Sequence, residues 1–120
     1  MFFSENSYVI LFAAPTHSPI NLKAIARSST SLEVFWDPPE EENRNSQVTG
    51  YRIFYTKQQN RQPNVKEVDG SVNRLVLLGL GKYTKYMIWA THLNRLGEGP
   101  SSKKIDVFTE EDGNYQLFSS

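Results

Sequence analysis

The apolar residues of this chain recur at every second position in short runs, and six prolines punctuate those runs. Leu32, Val34 and Trp36 alternate with Glu33, Phe35 and Asp37. Tyr51, Ile53 and Tyr55 alternate with Arg52, Phe54 and Thr56, and Tyr86, Ile88 and Ala90 with Met87, Trp89 and Thr91. Ile105 and Val107 alternate with Lys104, Asp106 and Phe108. Successive side chains of an extended chain point to opposite faces, so a period of two describes strands buried on one side. No stretch sustains the i, i+3, i+4, i+7 repeat of an amphipathic helix. The alternation predicts seven strands, over residues 20–26, 31–36, 49–57, 65–68, 74–78, 84–93 and 103–108. Turn residues separate them: Asp37-Pro38-Pro39, the polar stretch 58–64, Asp69-Gly70, Gly79 with Gly81, and residues 94–99. Seven short strands at this spacing predict an all-β, two-sheet antiparallel sandwich. Its inner faces would share Leu22, Leu32, Val34, Trp36, Tyr51, Ile53, Tyr55, Leu75, Leu77, Leu80, Tyr86, Ile88, Ile105 and Val107.

At 120 residues the chain has room for one such domain. It has no cysteine, which excludes disulfides, thiol nucleophiles and thiolate metal sites. Thirteen basic and thirteen acidic side chains cancel, so net charge gives no reason to expect nucleic acid or an anionic membrane as partner. No apolar run is long enough to span a bilayer. The charges are unevenly placed. Residues 1–50 hold three basic and six acidic side chains, and residues 51–109 hold ten and four. The acid is concentrated between Asp37 and Glu42 and in Glu110-Glu111-Asp112, which reads as two acidic loops on a mildly basic body. Tyr8 to Ala14 is apolar and ends in small residues, as a signal peptide does, but no Lys or Arg precedes it. It reads as a linker or as the edge of a longer gene product.

Several local patterns, in order, resemble the fibronectin type III family over about residues 16–110. Ser18-Pro19-Ile20-Asn21-Leu22 resembles the family's opening proline and first strand. Ser31-Leu32-Glu33-Val34-Phe35-Trp36-Asp37-Pro38-Pro39 resembles its second-strand tryptophan followed by two prolines. Val48-Thr49-Gly50-Tyr51-Arg52-Ile53-Phe54-Tyr55 resembles the Gly-Tyr entry to the third strand. Leu80, Thr84 and Tyr86 match the family's leucine and corner tyrosine. Asn94 with Gly97-Glu98-Gly99-Pro100-Ser101-Ser102 resembles the turn before the last strand, and Val107 with Thr109-Glu110-Glu111-Asp112 its exit. The resemblance implies an immunoglobulin-like sandwich of fibronectin type III type. Trp36, Tyr51, Leu80 and Tyr86 would be its structural residues. Trp36 would fill the space between sheets, and Tyr86 would tie its hydroxyl to backbone at the turn before the sixth strand. Gly50 and Gly79 would admit backbone shapes that a Cβ blocks. Three positions depart from the family pattern. Lys82 stands where proline is usual, Tyr83 where a small turn residue is usual, and His92 where a small inner-face alanine is usual. The first two leave the corner's geometry open. The third calls for room or a hydrogen-bond partner, and His92 reads as a structural histidine because no second ligand lies near it in sequence.

Catalytic and cofactor signatures are missing. There is no HExxH and no GxSxG, and Gly79-Leu80-Gly81-Lys82-Tyr83-Thr84 fails the phosphate-loop spacing and leads into a strand. Glu40-Glu41-Glu42 lacks the alternating ligands and glycine of a calcium loop. Lys82, Tyr83, Lys85, Tyr86 and Trp89 interleave base with aromatic, but alternation turns Tyr86 inward, and no nucleic-acid partner is expected. No catalytic, cofactor or metal residue is therefore assigned. Within the family, the Arg-Gly-Asp, Trp-Ser-x-Trp-Ser and Asp-Gly-Gly signatures are absent. The resemblance is accordingly to the cell-adhesion and receptor type, similar to repeats of contactins, sidekick-type proteins and receptor tyrosine phosphatases. No Asn-x-Ser/Thr sequon occurs.

In this family the third, sixth and seventh strands are neighbours in one sheet. Their outward residues would include Phe54, Met87, Trp89 and Phe108, beside Arg52, Lys104 and Asp106. Apolar surface rimmed by charge marks an interface with a partner protein or neighbouring domain, unless long Arg and Lys stems cover it. Phe35, Val76 and Leu78 on the opposite sheet form a second candidate face, and the loop residues Arg95 and Leu96 a third. The expected organisation is a leading linker or extension over residues 1–15, the domain over 16–110, and a tail or linker over 111–120. The expected role is a non-catalytic binding or spacer module, one repeat in the extracellular part of a cell-surface protein. A cytoplasmic adaptor or cytoskeletal module is the alternative. No membrane insertion by this segment is expected, and neither ligand nor oligomeric state follows from the sequence.

Overall fold

A computed structural model describes residues 13–39, 48–57 and 61–111. The Glu40-Glu41-Glu42 run, the apolar leader up to Phe12 and the tail beyond Glu111 lie outside the described residues. Eight strands follow in order: β1 (Lys23–Ser28), β2 (Ser31–Phe35), β3 (Gly50–Thr56), β4 (Asn64–Asp69), β5 (Arg74–Leu77), β6 (Lys85–Asn94), β7 (Gly97–Ser101) and β8 (Ile105–Phe108). They form two antiparallel sheets, β1-β2-β5 and β4-β3-β6-β7, with β8 also paired to β6. Among the described residues there is no helix, and so none long and apolar enough to cross a membrane.

The alternation sorts the side chains as expected. Leu32, Val34, Trp36, Tyr51, Ile53, Tyr55, Leu77, Leu80, Tyr86, Ile88 and Ala90 form one buried cluster. Leu22, Leu75, Ile105 and Val107 pack against it, as do Ala24, Ala26, Val48, Val68 and Val72. Trp36 follows β2 directly and lays its ring 5.1 Å from that of Tyr51 on β3, tilted by 54°. Tyr51 in turn meets His92 of β6 edge-on at 5.5 Å. One aromatic row thus joins the two sheets, in the offset geometry that ring quadrupoles favour.

Two strands differ from the expectation by more than one residue at an end. The first strand begins at Lys23 rather than residue 20, and a bulge at Arg27 carries it on to Ser28. The last strand is two strands: β7 pairs with the far half of β6 and β8 with the near half. Residues 97–99, expected in a turn, belong to β7, and the hairpin loop shrinks to Arg95-Leu96 between the paired Asn94 and Gly97. Pro100 lies on this edge strand, where its missing N–H interrupts no inner ladder. Ser102 marks the break: its Oγ accepts from Ala90 N at 3.0 Å, and its own N–H donates to Ala90 O at 2.8 Å.

The corner before β6 closes without the usual proline. Gly79 adopts φ +70°, open to glycine at little cost, and Tyr83 adopts φ +45°, which is unfavourable for a bulky side chain. A Cβ on Gly50 would stand 2.8 Å from Val68 O, so glycine is required there by proximity instead. Hydrogen bonds hold the corner in place. Gly81 N donates to Tyr86 Oη at 2.8 Å, and Thr109 Oγ1 donates to Gly81 O at 2.7 Å. Thr84 N donates to Thr109 Oγ1 at 2.8 Å, and Tyr83 N to Glu110 O at 3.0 Å. Thr109, only 1% exposed, therefore clamps the corner to the chain leaving β8. Each net hydrogen bond of this kind is worth about 1 kcal/mol, and stranding a buried partner costs about 1–3 kcal/mol. Tyr86→Phe and Thr109→Val should each lower unfolding stability by about 1–3 kcal/mol in urea titrations. Because both side chains hold Gly81, the double variant should depart from additivity by at least about 0.5 kcal/mol. Strict additivity would mean that the two act on separate parts of the fold.

Candidate protein-binding surface

The register of β3 on β6 places Phe54 directly opposite Trp89. Both residues point away from the core, since their neighbours Ile53, Tyr55, Ile88 and Ala90 point into it. The two rings stack, with centroids 5.3 Å apart and planes within 2° of parallel. Lys104, just before β8 on the other side of β6, sets its ammonium 4.7 Å from the Trp89 centroid. Trp89 thus stands between an aromatic ring and a cation, and both it and Phe54 are half-buried. Val65 of β4, opposite Phe54, extends the apolar row to the sheet edge and is exposed. Met87, half-buried, lies one row along, opposite Thr56 on one side and Asp106 on the other.

Charge borders this band. Arg52 reaches Glu67 through Nε at 2.7 Å and Glu98 through Nη1 at 3.1 Å. Its hydrogen bond to Glu67 and the two nearby carboxylates raise its pKa above the ordinary value, so it stays charged. Glu98 also accepts from Thr91 Oγ1 at 2.7 Å, tying β7 to β6. On the other side Lys85 lies 3.9 Å from Asp106. Phe108, 50% exposed, sits opposite Lys85 with Tyr83, 60% exposed, 5.6 Å away. Arg95 and Leu96 occupy the β6–β7 hairpin tip, where Leu96 N donates to Asn94 Oδ1 at 2.8 Å. At about 3.3 Å per strand residue, the length of β6 separates that tip from Phe108 by about 30 Å. The fold therefore unites Phe54, Met87 and Trp89, puts Phe108 at one end of their face, and leaves Arg95 and Leu96 at the other. Beside the tip an open depression of about 650 Å³ is lined by Arg52, Glu67, Asp69 and residues 93–98.

The opposite sheet presents a different surface. Ile25, Glu33 and Val76 form one row across β1-β2-β5, and Lys23, Phe35 and Arg74 the next. Glu33 is buried beneath two guanidinium groups, with Arg27 Nε at 2.6 Å and Arg74 Nε at 3.3 Å. Arg74 also lies over Phe35, 5.9 Å from its centroid. Ile25, Val76 and Leu78 remain exposed, Leu78 at 74%. Ile25 and Val65 are surface members that no sequence pattern marked as a site, and Tyr83 was marked there only as a corner residue and in a base–aromatic run. The first two were visible as outward positions of their strands. Tyr83 joins Phe108 only through the corner's fold. Among the described residues no group of three or more His, Asp or Glu converges on a metal-sized site.

A model of the fibronectin type III domain family matches residues 13–108. The chain belongs to the fibronectin type III family. It is 32% identical over 98 residues to the tyrosine-protein phosphatase Lar of Drosophila melanogaster, a match covering 82% of this chain and 5% of that protein. Sidekick-2 of Mus musculus is 35% identical over 92 residues, covering 75% of this chain and 4% of that protein. The cell adhesion molecule Dscam2 of Drosophila melanogaster is 36% identical over 102 residues, covering 82% and 5%. This fibronectin type III chain thus spans about a twentieth of the length of these relatives. The solution structure of the fn3 domain of human contactin 1 superposes with a TM-score of 0.75 at 26% identity, covering 85% of this chain and 84% of that one. The FN5 domain of Drosophila Lar gives 0.64 at 31% identity, covering 79% and 97%. The adhesion and receptor subtype read from the sequence is the subtype of these relatives.

The outward stack has a measurable signature. Trp89→Ala should remove one ring pair and one cation–π contact, lowering stability by about 1–2 kcal/mol with an unchanged urea m-value. Ile88→Ala, one residue away and fully buried, should cost about 2–5 kcal/mol. Equal losses at the two positions would mean that Trp89 serves the core.

Proposed function

We propose that this fibronectin type III domain is a non-catalytic protein-binding and spacer module. In this reading it belongs to the extracellular part of a multidomain adhesion or receptor protein and meets a partner protein or neighbouring domain through the Phe54–Trp89 face. The stacked pair is the observation that carries the reading. An apolar row of Val65, Phe54 and Trp89 crosses the sheet with Met87 in the next row, and ion pairs border it on both sides. A pre-stacked pair loses little side-chain entropy on binding, and aromatic residues at the centre of a face with a charged rim are the usual anchors of protein interfaces. Relatives named as an adhesion molecule and a receptor-type phosphatase support the setting.

Labelling cells of the native source with a membrane-impermeant reagent tests the setting. The expected product is a labelled band much heavier than the 13.8 kDa of this chain. An unlabelled band would overturn the extracellular assignment in favour of a cytoplasmic module. For the surface, binding of the isolated domain to those labelled cells should fall about tenfold or more in Trp89→Glu and stay unchanged in Leu96→Glu. The reverse order would move the contact to the hairpin tip.

A further inference from the structure

Residues 13–20 run ahead of β1 without joining either sheet, yet they are fastened along their length. Asn94 Nδ2 donates to Ala13 O at 2.8 Å. Pro15 is buried against Gly99, where an added Cβ would stand 2.7 Å from Pro15 O, so this close approach needs glycine. His92 Nδ1 lies 2.8 Å from His17 O, and Asp37 N donates to Ile20 O at 3.0 Å. Pro19 is buried as well. Of these fastenings only the imidazole changes charge near neutral pH.

His92 is held in an unusual state. It is 3% exposed, and its Nε2 is buried with no hydrogen-bond partner among the described residues. With a carbonyl at Nδ1, the proton of the neutral ring sits on Nδ1 and Nε2 is a bare acceptor. Among the described residues, the titratable groups around it offer no counter-charge. The strap brings only the side chain of His17, and β3 brings Tyr51 edge-on. From β7, Glu98 bonds Thr91 and Arg52 on the outer face. No described carboxylate acts on the imidazole.

We propose that His92 is an acid-sensitive latch: the neutral ring holds residues 13–20 against β6 and β7, and protonation releases that strap while the sandwich stays folded. Protonation places a hydrogen on Nε2, turning an unpartnered acceptor into an unpartnered charged donor in a buried site. That is far the costlier state. The ring gains solvent by displacing what covers it, and the strap is bound at its neighbouring points by uncharged contacts of modest strength. Burial holds the His92 pKa below its ordinary value, opposed by the His17 backbone bond and assisted by the His17 side chain. The latch is therefore complete above the unfolded pKa of about 6.5 and is lost as pH falls through the lowered folded value. The domain gains two states, strapped at neutral pH and open in acid, independently of the partner surface on the other side of β6.

Backbone order parameters of the full chain, measured by NMR from about pH 7.5 down to about pH 4.5, test this. Thr16, His17 and Ser18 should fall from rigid values near 0.85 to below about 0.6 in acid, while β3 and β6 stay rigid. The midpoint should coincide with titration of the His92 ring proton signals. His92→Gln, which keeps a side-chain donor without a titrating charge, should hold the strap rigid throughout. His17→Ala, which keeps the backbone carbonyl, should retain the acid response. The latch is overturned by a strap that stays ordered to the lowest pH, by loss of order in β3 and β6 at the same midpoint, or by an undiminished response in His92→Gln. Should that variant not fold, the match or mismatch of the two wild-type midpoints decides alone.

Discussion

Trp36 against Tyr51 is the contact around which the sandwich is arranged. No cysteine joins the two sheets, so their association rests on buried side-chain surface. The large indole at the end of β2 spans the gap and meets the ring on β3, and that ring meets His92 on β6. With the inner positions of these strands fixed by this row, the pleat dictates what stands outside. Phe54, Met87 and Trp89 on one sheet and Glu33 and Phe35 on the other follow as outward residues.

The two outer faces answer the same physical problem with different chemistry. On the larger sheet the exposed aromatic surface is reduced by stacking Phe54 on Trp89 and setting Lys104 against the indole. On the smaller sheet a carboxylate is buried under two arginines while aliphatic side chains stay in water. Exposed ion pairs contribute little to stability, and Arg27 and Arg74 are more than half exposed, so their role at Glu33 is chiefly to satisfy its charge. The ends of the sandwich differ too. Hydrogen bonds centred on Thr109 close the corner, and a strap pinned in part by one imidazole closes the other side of β6.

The core was readable because alternation is a local property. Each inner residue of the alternating strands, from Leu32 to Val107, is marked by its neighbours one position away, whereas Leu80, between Gly79 and Gly81, was marked by the family resemblance. β7 was not readable for the same reason. Gly97-Glu98-Gly99-Pro100-Ser101 has no alternation and little strand propensity, and only the open edge of β6 makes it a strand. The corner shows a third case. Lys82 and Tyr83 break the family's turn pattern, and the compensation comes from Thr109, 25 residues beyond Thr84. Of the candidate surface, the outward aromatics were legible and their mutual stacking was not, because stacking requires the register of β3 on β6.

By itself the sequence determined which face of each alternating strand is buried, the all-β sandwich, the family, and the absence of any thiol chemistry. These follow from spacing and residue type, which no tertiary contact alters. Tertiary structure alone decided that Trp89 lies between Phe54 and Lys104, that Thr109 holds the corner, and that His92 finds its partner in a backbone carbonyl 75 residues away. A hydrogen bond or ring contact forms between groups brought within a few ångströms, and residues far apart in the chain acquire that proximity only when the sheets close.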